Sequence, residues 1–211
     1  VVRPLSAGFG AAALHVLRGE ANSGNEVLLR LLGLLEPPED GEVLLWGRPT
    51  RALDEVARAA LRNRECGFVF AAPFLLADFS IIENVAMPLF KISQVGPEEA
   101  RKRTVAALEF VGLGGAVEAP ATELSLADQR RVALARALVN KPALVFVEQL
   151  DAGFDSEAVQ AFSALLRRAG DSLGVTVIAT ASPAFPSASQ DRVLEIADGA
   201  IRSDSLAARE S

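Results

Sequence analysis

A chain of 211 residues, half of them hydrophobic and 23% charged, carries enough apolar surface for one packed domain and argues against disorder. The single cysteine, Cys66, excludes an internal disulfide and a cysteine-built zinc site, and the single histidine, His15, excludes a multi-histidine metal centre and leaves little room for a histidine triad. With 21 basic against 27 acidic residues the net charge is −6, which disfavours nonspecific nucleic-acid binding through a broad basic face.

Arg3 precedes an apolar stretch over residues 7–17 that has the length of a signal-peptide core. Gly8, Gly10 and His15 interrupt it without a convincing small-x-small cleavage site, so it reads as the approach to a buried strand over 12–18. No apolar run approaches the ~20 residues of a membrane-spanning helix. The absence of a starting Met reads as trimming, and a soluble, cytoplasmic protein is the default expectation. Residues 26–35 place Val27, Leu28, Leu31, Leu32 and Leu35 at helical spacing, and Pro37-Pro38 stops the helix. A strand over 42–46 follows the Asp40-Gly41 turn, with Trp46 expected in core or rim packing. Residues 53–63 read as a helix, 66–70 as a strand and 71–80 as an irregular loop. The helix expected over 97–111 carries Glu98, Glu99, Arg101, Lys102 and Arg103 in its first turns, a solvated face. Another helix covers 126–139, and the apolar run 143–148 has the pattern of a strand buried on both faces. Residues 156–173 form a helix that Gly174 can end, 175–180 a strand, and 192–196 with 200–202 a terminal hairpin around Asp198-Gly199.

Alternating strands and helices predict an α/β fold with a mostly parallel sheet. Residues of about 72–139 supply helices and no strand, so they read as an α-helical subdomain inserted into a core of about 1–71 and 140–211.

Gly19-Glu20-Ala21-Asn22-Ser23-Gly24-Asn25-Glu26 lies between the first strand and the first helix. Glycines there let backbone N–H groups converge on a phosphate at a helix N-terminus. Gly19 and Gly24 match the spacing of G-x-x-x-x-G-K-[ST], but Asn25 stands at the lysine position and Glu26 at the Ser/Thr position that holds Mg²⁺.

From this loop onward the chain resembles the ATP-binding subunits of ABC transporters, in the class of lipoprotein-releasing and macrolide-export ATPases. The resemblance rests on Leu28-Leu29-Arg30-Leu31-Leu32-Gly33-Leu34 followed by Asp40-Gly41-Glu42-Val43. It continues through Cys66-Gly67-Phe68-Val69-Phe70 and Glu83-Asn84-Val85-Ala86-Met87-Pro88-Leu89 near the family's glutamine loop. Glu123-Leu124-Ser125 with Arg131-Val132-Ala133 is similar to the signature helix, Lys141-Pro142-Ala143-Leu144 leads into a Walker B strand, and Asp155-Ser156-Glu157 resembles the D-loop. It implies a P-loop NTPase core with an inserted helical subdomain. It also implies a place at the inner face of the membrane beside a permease subunit, and pairing as a homo- or heterodimer with an ABC ATPase subunit.

The departures fall on the chemistry that the resemblance implies. Asn25 cannot supply the lysine charge, and Glu26 replaces the Mg²⁺ ligand among the loop positions Gly19, Asn22, Ser23, Gly24, Asn25 and Glu26. Ala71 stands at the glutamine-loop position, and Leu126 and Ala127 replace the glycines after Ser125. The Walker B pair is Glu148-Gln149 in place of Asp-Glu, and Ala181 holds the switch-histidine position. The family's first strand and its adenine-stacking aromatic have no counterpart here. No catalytic residue is therefore assigned, and ATP and Mg²⁺ are expected only if residual binding survives. Glu26 either favours the helix dipole or folds into the phosphate cradle; Ser125 and Asp155 read first as helix caps. His15 reads as structural, and Cys66 as an inert buried thiol. Three functions stay open: a noncatalytic transporter subunit, a slow ABC ATPase, and a free-standing interaction protein on the same fold.

Overall fold

The computed structural model describes residues 2–206. Strand β1 (Leu14–Arg18) leads through the glycine loop into helix α1 (Asn25–Leu32). The helix ends before the proline stop that the spacing predicts: Gly33 closes it with its N–H on Leu29 O, and Leu34 takes a left-handed conformation. The strand expected over 42–46 contracts to the two-residue pair β2 (Leu44–Leu45) and β3 (Arg48–Pro49). Trp46 and Gly47 turn this hairpin with φ values of 50° and 73°, the geometry of a tight two-residue turn. Trp46 therefore sits 60% exposed at the tip and packs in neither core nor rim, contrary to expectation.

Asp54 caps α2 (Glu55–Glu65) by accepting from Ala57 N at 2.7 Å, and β4 (Cys66–Val69) follows directly. Helix α3 (Ile81–Pro88) begins in a reciprocal capping box between Ser80 and Glu83 and continues into a π-helical turn over Leu89–Ser93. Helices α4 (Pro97–Phe110) and α5 (Leu126–Leu138) pack on α3 and on each other, and no strand is assigned between β4 and β5. The chain then returns to the sheet as β5 (Leu144–Val147), α6 (Ser156–Leu173), β6 (Thr176–Ala181), β7 (Arg192–Ala197) and β8 (Ala200–Asp204).

The sheet runs β4-β5-β6-β1-β7-β8, parallel throughout except for the final antiparallel pair. Parallel pairing places the carboxyl ends of β4, β5, β6 and β1 along one edge, where ligands of open α/β sheets bind. Helices cover both faces. One core layer joins Val16, Val145, Val147 and Val177 to α3, α5 and α6, and the other joins Leu17, Phe146 and Ile178 to α1. None of the helices among the described residues is long and apolar enough to cross a membrane.

Candidate functional site

The residues singled out in the sequence gather at that carboxyl edge. The loop after β1 folds tightly because Gly19 lacks a side chain: a Cβ there would lie 2.5 Å from Ile196 O and collide with Ser23. Gly24 adopts φ 98°, which carries the chain into α1. Within the loop, Ser23 N–H donates to Glu20 O at 3.0 Å and Glu26 N–H to Asn25 Oδ1 at 2.8 Å. Asn25 is 6% exposed, and its Nδ2 donates backward to Leu17 O at 3.3 Å. The side chain at the lysine position thus folds into the floor of the loop and spends its own carbonyl on the next backbone amide. Behind the loop, Gly199 N–H donates to Ser23 O at 2.7 Å, so the β7–β8 turn braces it.

Glu148 and Gln149 leave the end of β5. Gln149 has φ 44°, an unfavourable left-handed backbone for a residue with a Cβ, and its N–H donates to Thr180 Oγ1 at 2.8 Å. Its side-chain Nε2 donates to Glu26 Oε1 at 2.6 Å. Two positions separated by 123 residues, the Mg²⁺-ligand and general-base positions of the resemblance, thus bond to one another. Both residues are exposed, and the bond ties the chain just after β5 to the first turn of α1. Glu148 points the other way: its Oε2 accepts from Ala71 N at 3.5 Å, which places the glutamine-loop position beside Walker B without a side chain that reaches the cradle.

At the end of β6, Ala181 is buried at 2% exposure, and its carbonyl accepts from Gly19 N at 3.1 Å. Ser182 turns to Asp151 instead, donating its hydroxyl to one carboxylate oxygen and its N–H to the other at 3.1 Å. Ser125 is the N-cap of α5, accepting from Asp128 N at 3.1 Å, and Asp155 is the N-cap of α6, accepting from Ala158 N at 2.8 Å. Leu126 is 42% exposed and lies 2.9 Å from where a Cβ on Gly153 would sit, so its side chain fills the space above that glycine. Ala127 is half-buried in the first turn of α5.

One functional-site residue escapes the sequence reading. Arg130 is 0% exposed and donates to Glu148 O at 2.7 Å, Gln149 O at 2.8 Å and Leu150 O at 3.4 Å. Burial pulls its pKa down to about 10, against the opposing pull of the Asp151 and Glu148 carboxylates. The signal was available: Arg130 falls at helical spacing with Ala133, Leu134 and Ala137, on the buried stripe of α5.

These contacts do not fit MgATP. Among the described residues no lysine is bonded to the loop, Asn25 and Glu26 stand where the resemblance expects a lysine and a Mg²⁺ ligand, and the amides of Ser23 and Glu26 are engaged within the loop. Among the described residues, no cluster of three or more His, Cys, Asp or Glu could hold a metal ion. Outside the site, burial pushes the Cys66 thiol up to about 12, which leaves it unreactive near neutral pH.

Residues 2–149 match the sequence family described as ABC transporter. The chain is 41% identical over 181 residues to the lipoprotein-releasing system ATP-binding protein LolD of Pseudomonas fluorescens, covering 86% of this chain and 79% of that protein. It is 36% identical over the same length to LolD of Psychrobacter arcticus, covering 86% of this chain and 80% of that protein. The fold superposes with a TM-score of 0.84 and 26% identity on the dimeric ATP-binding cassette MJ0796 in a post-hydrolysis state bound to ADP and Pi, covering 96% of this chain and 89% of that one. It also superposes on cbiO1 of Clostridium perfringens, part of the cbiONQ transporter complex, with a TM-score of 0.89 at 22% identity, covering 99% and 84%. The parallel sheet with its glycine loop, the helices between β4 and β5, and these matches together establish that the chain belongs to the ABC transporter family, with the fold of its ATPase domain.

Proposed function

We propose that the chain is a degenerate ATP-binding-type subunit, a pseudo-ATPase that serves an ABC transporter complex structurally or as a regulator. The observation that carries this reading is the 2.6 Å bond from Gln149 Nε2 to Glu26 Oε1. It joins the side chains at two positions that serve hydrolysis in the family motif, and neither side chain has the required group. Gln149 has no carboxylate with which to orient or deprotonate water. Electrostatics point the same way. Relative to the family motif, Asn25 removes one positive charge and Glu26 adds one negative. A unit charge ~4 Å from a phosphate is worth about 4 kcal/mol at an effective dielectric of roughly 20. With ~1.4 kcal/mol per tenfold in affinity, two such changes weaken MgATP binding by several orders of magnitude.

The partner in this reading is a membrane permease. The helical unit of residues 72–139 presents a groove of about 410 Å³ lined by Phe79, Ile82, Ala86, Met87 and Phe90, with Glu83 and Lys91 also lining it. Phe79 and Phe90 are 39% and 50% exposed, an apolar surface suited to a short helix from such a subunit. A location at the inner face of the membrane and pairing with another ABC ATPase subunit follow from the same reading.

Calorimetric titration with MgATP, paired with a phosphate-release assay, tests the proposal. No saturable binding at high micromolar nucleotide and no turnover above background are expected. Micromolar binding with turnover that disappears on Gly24→Asp overturns it.

A further inference from the structure

We infer that Arg130 is a positioning residue: it holds the backbone of residue 149 in its left-handed conformation and thereby aims Gln149 at Glu26. The inference rests on the proposed reading of the Gln149–Glu26 bond described above. Residue 149 is gripped on both sides. Its N–H donates to Thr180 Oγ1 at 2.8 Å, and its carbonyl accepts from Arg130 Nη1 at 2.8 Å. The same guanidinium reaches the carbonyls of the two neighbours, Glu148 at 2.7 Å and Leu150 at 3.4 Å. The planar fork reaches three consecutive carbonyls from two separate nitrogens; the ammonium of lysine is a compact point charge with no such fork.

The surroundings mark this contact as one held against opposition. Arg130 is fully buried, its Nε has no hydrogen-bond partner, and among the described residues no carboxylate lies within salt-bridge distance of it. Its charge is faced by the Phe154 and Phe162 rings, 5.1 and 5.4 Å from the guanidinium carbon, and at longer range by Asp151 and Glu148. Burying a charge with an unmet donor costs free energy, and so does a left-handed glutamine. The two unfavourable features occur at the two ends of one hydrogen bond. With the amide and carbonyl of residue 149 both fixed, its Cβ direction is fixed, and the side chain emerges over the loop where Glu26 stands. Because Arg130 belongs to α5, the Gln149–Glu26 bond is tied to the seating of that helix.

A double-mutant cycle tests this, because glycine adopts a positive φ without a Cβ penalty. Arg130→Gln is measured by urea unfolding in the Gln149 background and again in the presence of Gln149→Gly. The loss in urea midpoint is expected to shrink by at least half in the second background. Equal losses, including failure of both proteins to fold, overturn the inference and leave Arg130 as general support for the core. A second readout uses the side-chain NH₂ pair of Gln149 in ¹⁵N NMR spectra without nucleotide. Wild-type signals displaced from free-glutamine positions should collapse to those positions in Glu26→Ala, and equally in Arg130→Lys, where Glu26 is intact. A displaced pair in folded Arg130→Lys, or none in the wild type, overturns the inference. Neither measurement contains nucleotide, so its outcome is independent of the MgATP titration that tests the pseudo-ATPase reading.

Discussion

The bodies of β1, β5 and β6 and the loops at their carboxyl ends contrast sharply. Within the strands the residues are apolar and buried: Val16, Leu17, Val145, Phe146 and Val177 are at most 2% exposed. Beyond the strand ends the chain turns polar and binds itself: Asn25 to Leu17 O, Gln149 to Glu26, and Ser182 to Asp151. The strands carry the family's architecture, and the polar side chains of the loops are engaged with backbone or with one another. Stability and chemistry are therefore separable here, because the sheet needs nothing from its edge beyond a chain reversal.

The largest test of that contrast lies in the strands. Phe146 stacks on Phe68 with ring centroids 5.4 Å apart. Phe146→Ala should cost ~3–5 kcal/mol in urea unfolding, with no gain in nucleotide affinity. In the loops the effect should be on binding. Asn25→Lys combined with Glu26→Thr should raise MgATP affinity by roughly 100-fold or more, about 2.7 kcal/mol, seen by calorimetry, while hydrolysis stays near background. Vigorous turnover from that pair would mean that Gln149 and Ala181 are not the missing catalytic positions. Asp155→Ala separates a helix cap from a loop residue with chemistry to do: loss of the bond to Ala158 N should cost about 1 kcal/mol of stability and leave nucleotide affinity unchanged.

The smallest effect is a pH dependence inside β1. His15 is 3% exposed, and its Nε2 lies 2.8 Å from Gly10 O. Burial lowers its pKa below the usual 6.5, opposed by the Gly10 bond, assisted by Arg192 and opposed again by Asp204. The unfolded chain then takes up a proton that the folded chain refuses. Stability should fall as pH drops below 6.5 and level off once the folded value is passed. Urea midpoints between pH 8 and 5 check this, and His15→Asn should flatten that part of the profile.

Much of the scaffold is legible in the sequence because it is local. The period of Val27, Leu28 and Leu31, the Asp198-Gly199 turn and the apolar run at 143–148 all lie close to the elements observed. Helix α3 is equally local yet lies outside the elements expected from apolar spacing, although Ser80 and Glu83 stand at capping-box spacing around Ile81. Trp46 shows a limit of another kind: its hydrophobicity suggests packing, but the two-residue turn placed it at a tip. The site divides in the same way. The substituted positions could be found one at a time from motif spacing, but the bond between Glu26 and Gln149 spans 123 residues and depends on one left-handed backbone angle that no spacing encodes.

The strand order also sets a schedule for biosynthesis. Strand β1 is made well before its two neighbours, β6 and β7, and Ala12 N–H waits for Thr176 Oγ1 across 164 residues of sequence. At ~5–20 residues per second, the emerging chain spends roughly ten to thirty seconds before that partner exists. For that interval the ribosome displays Leu14, Val16 and Leu17 with both strand edges open, while α2 and α3 to α5 can already form. The nascent protein is thus exposed to mispairing at β1 until β6 and β7 are made, and those two later strands decide whether β1 finds its place.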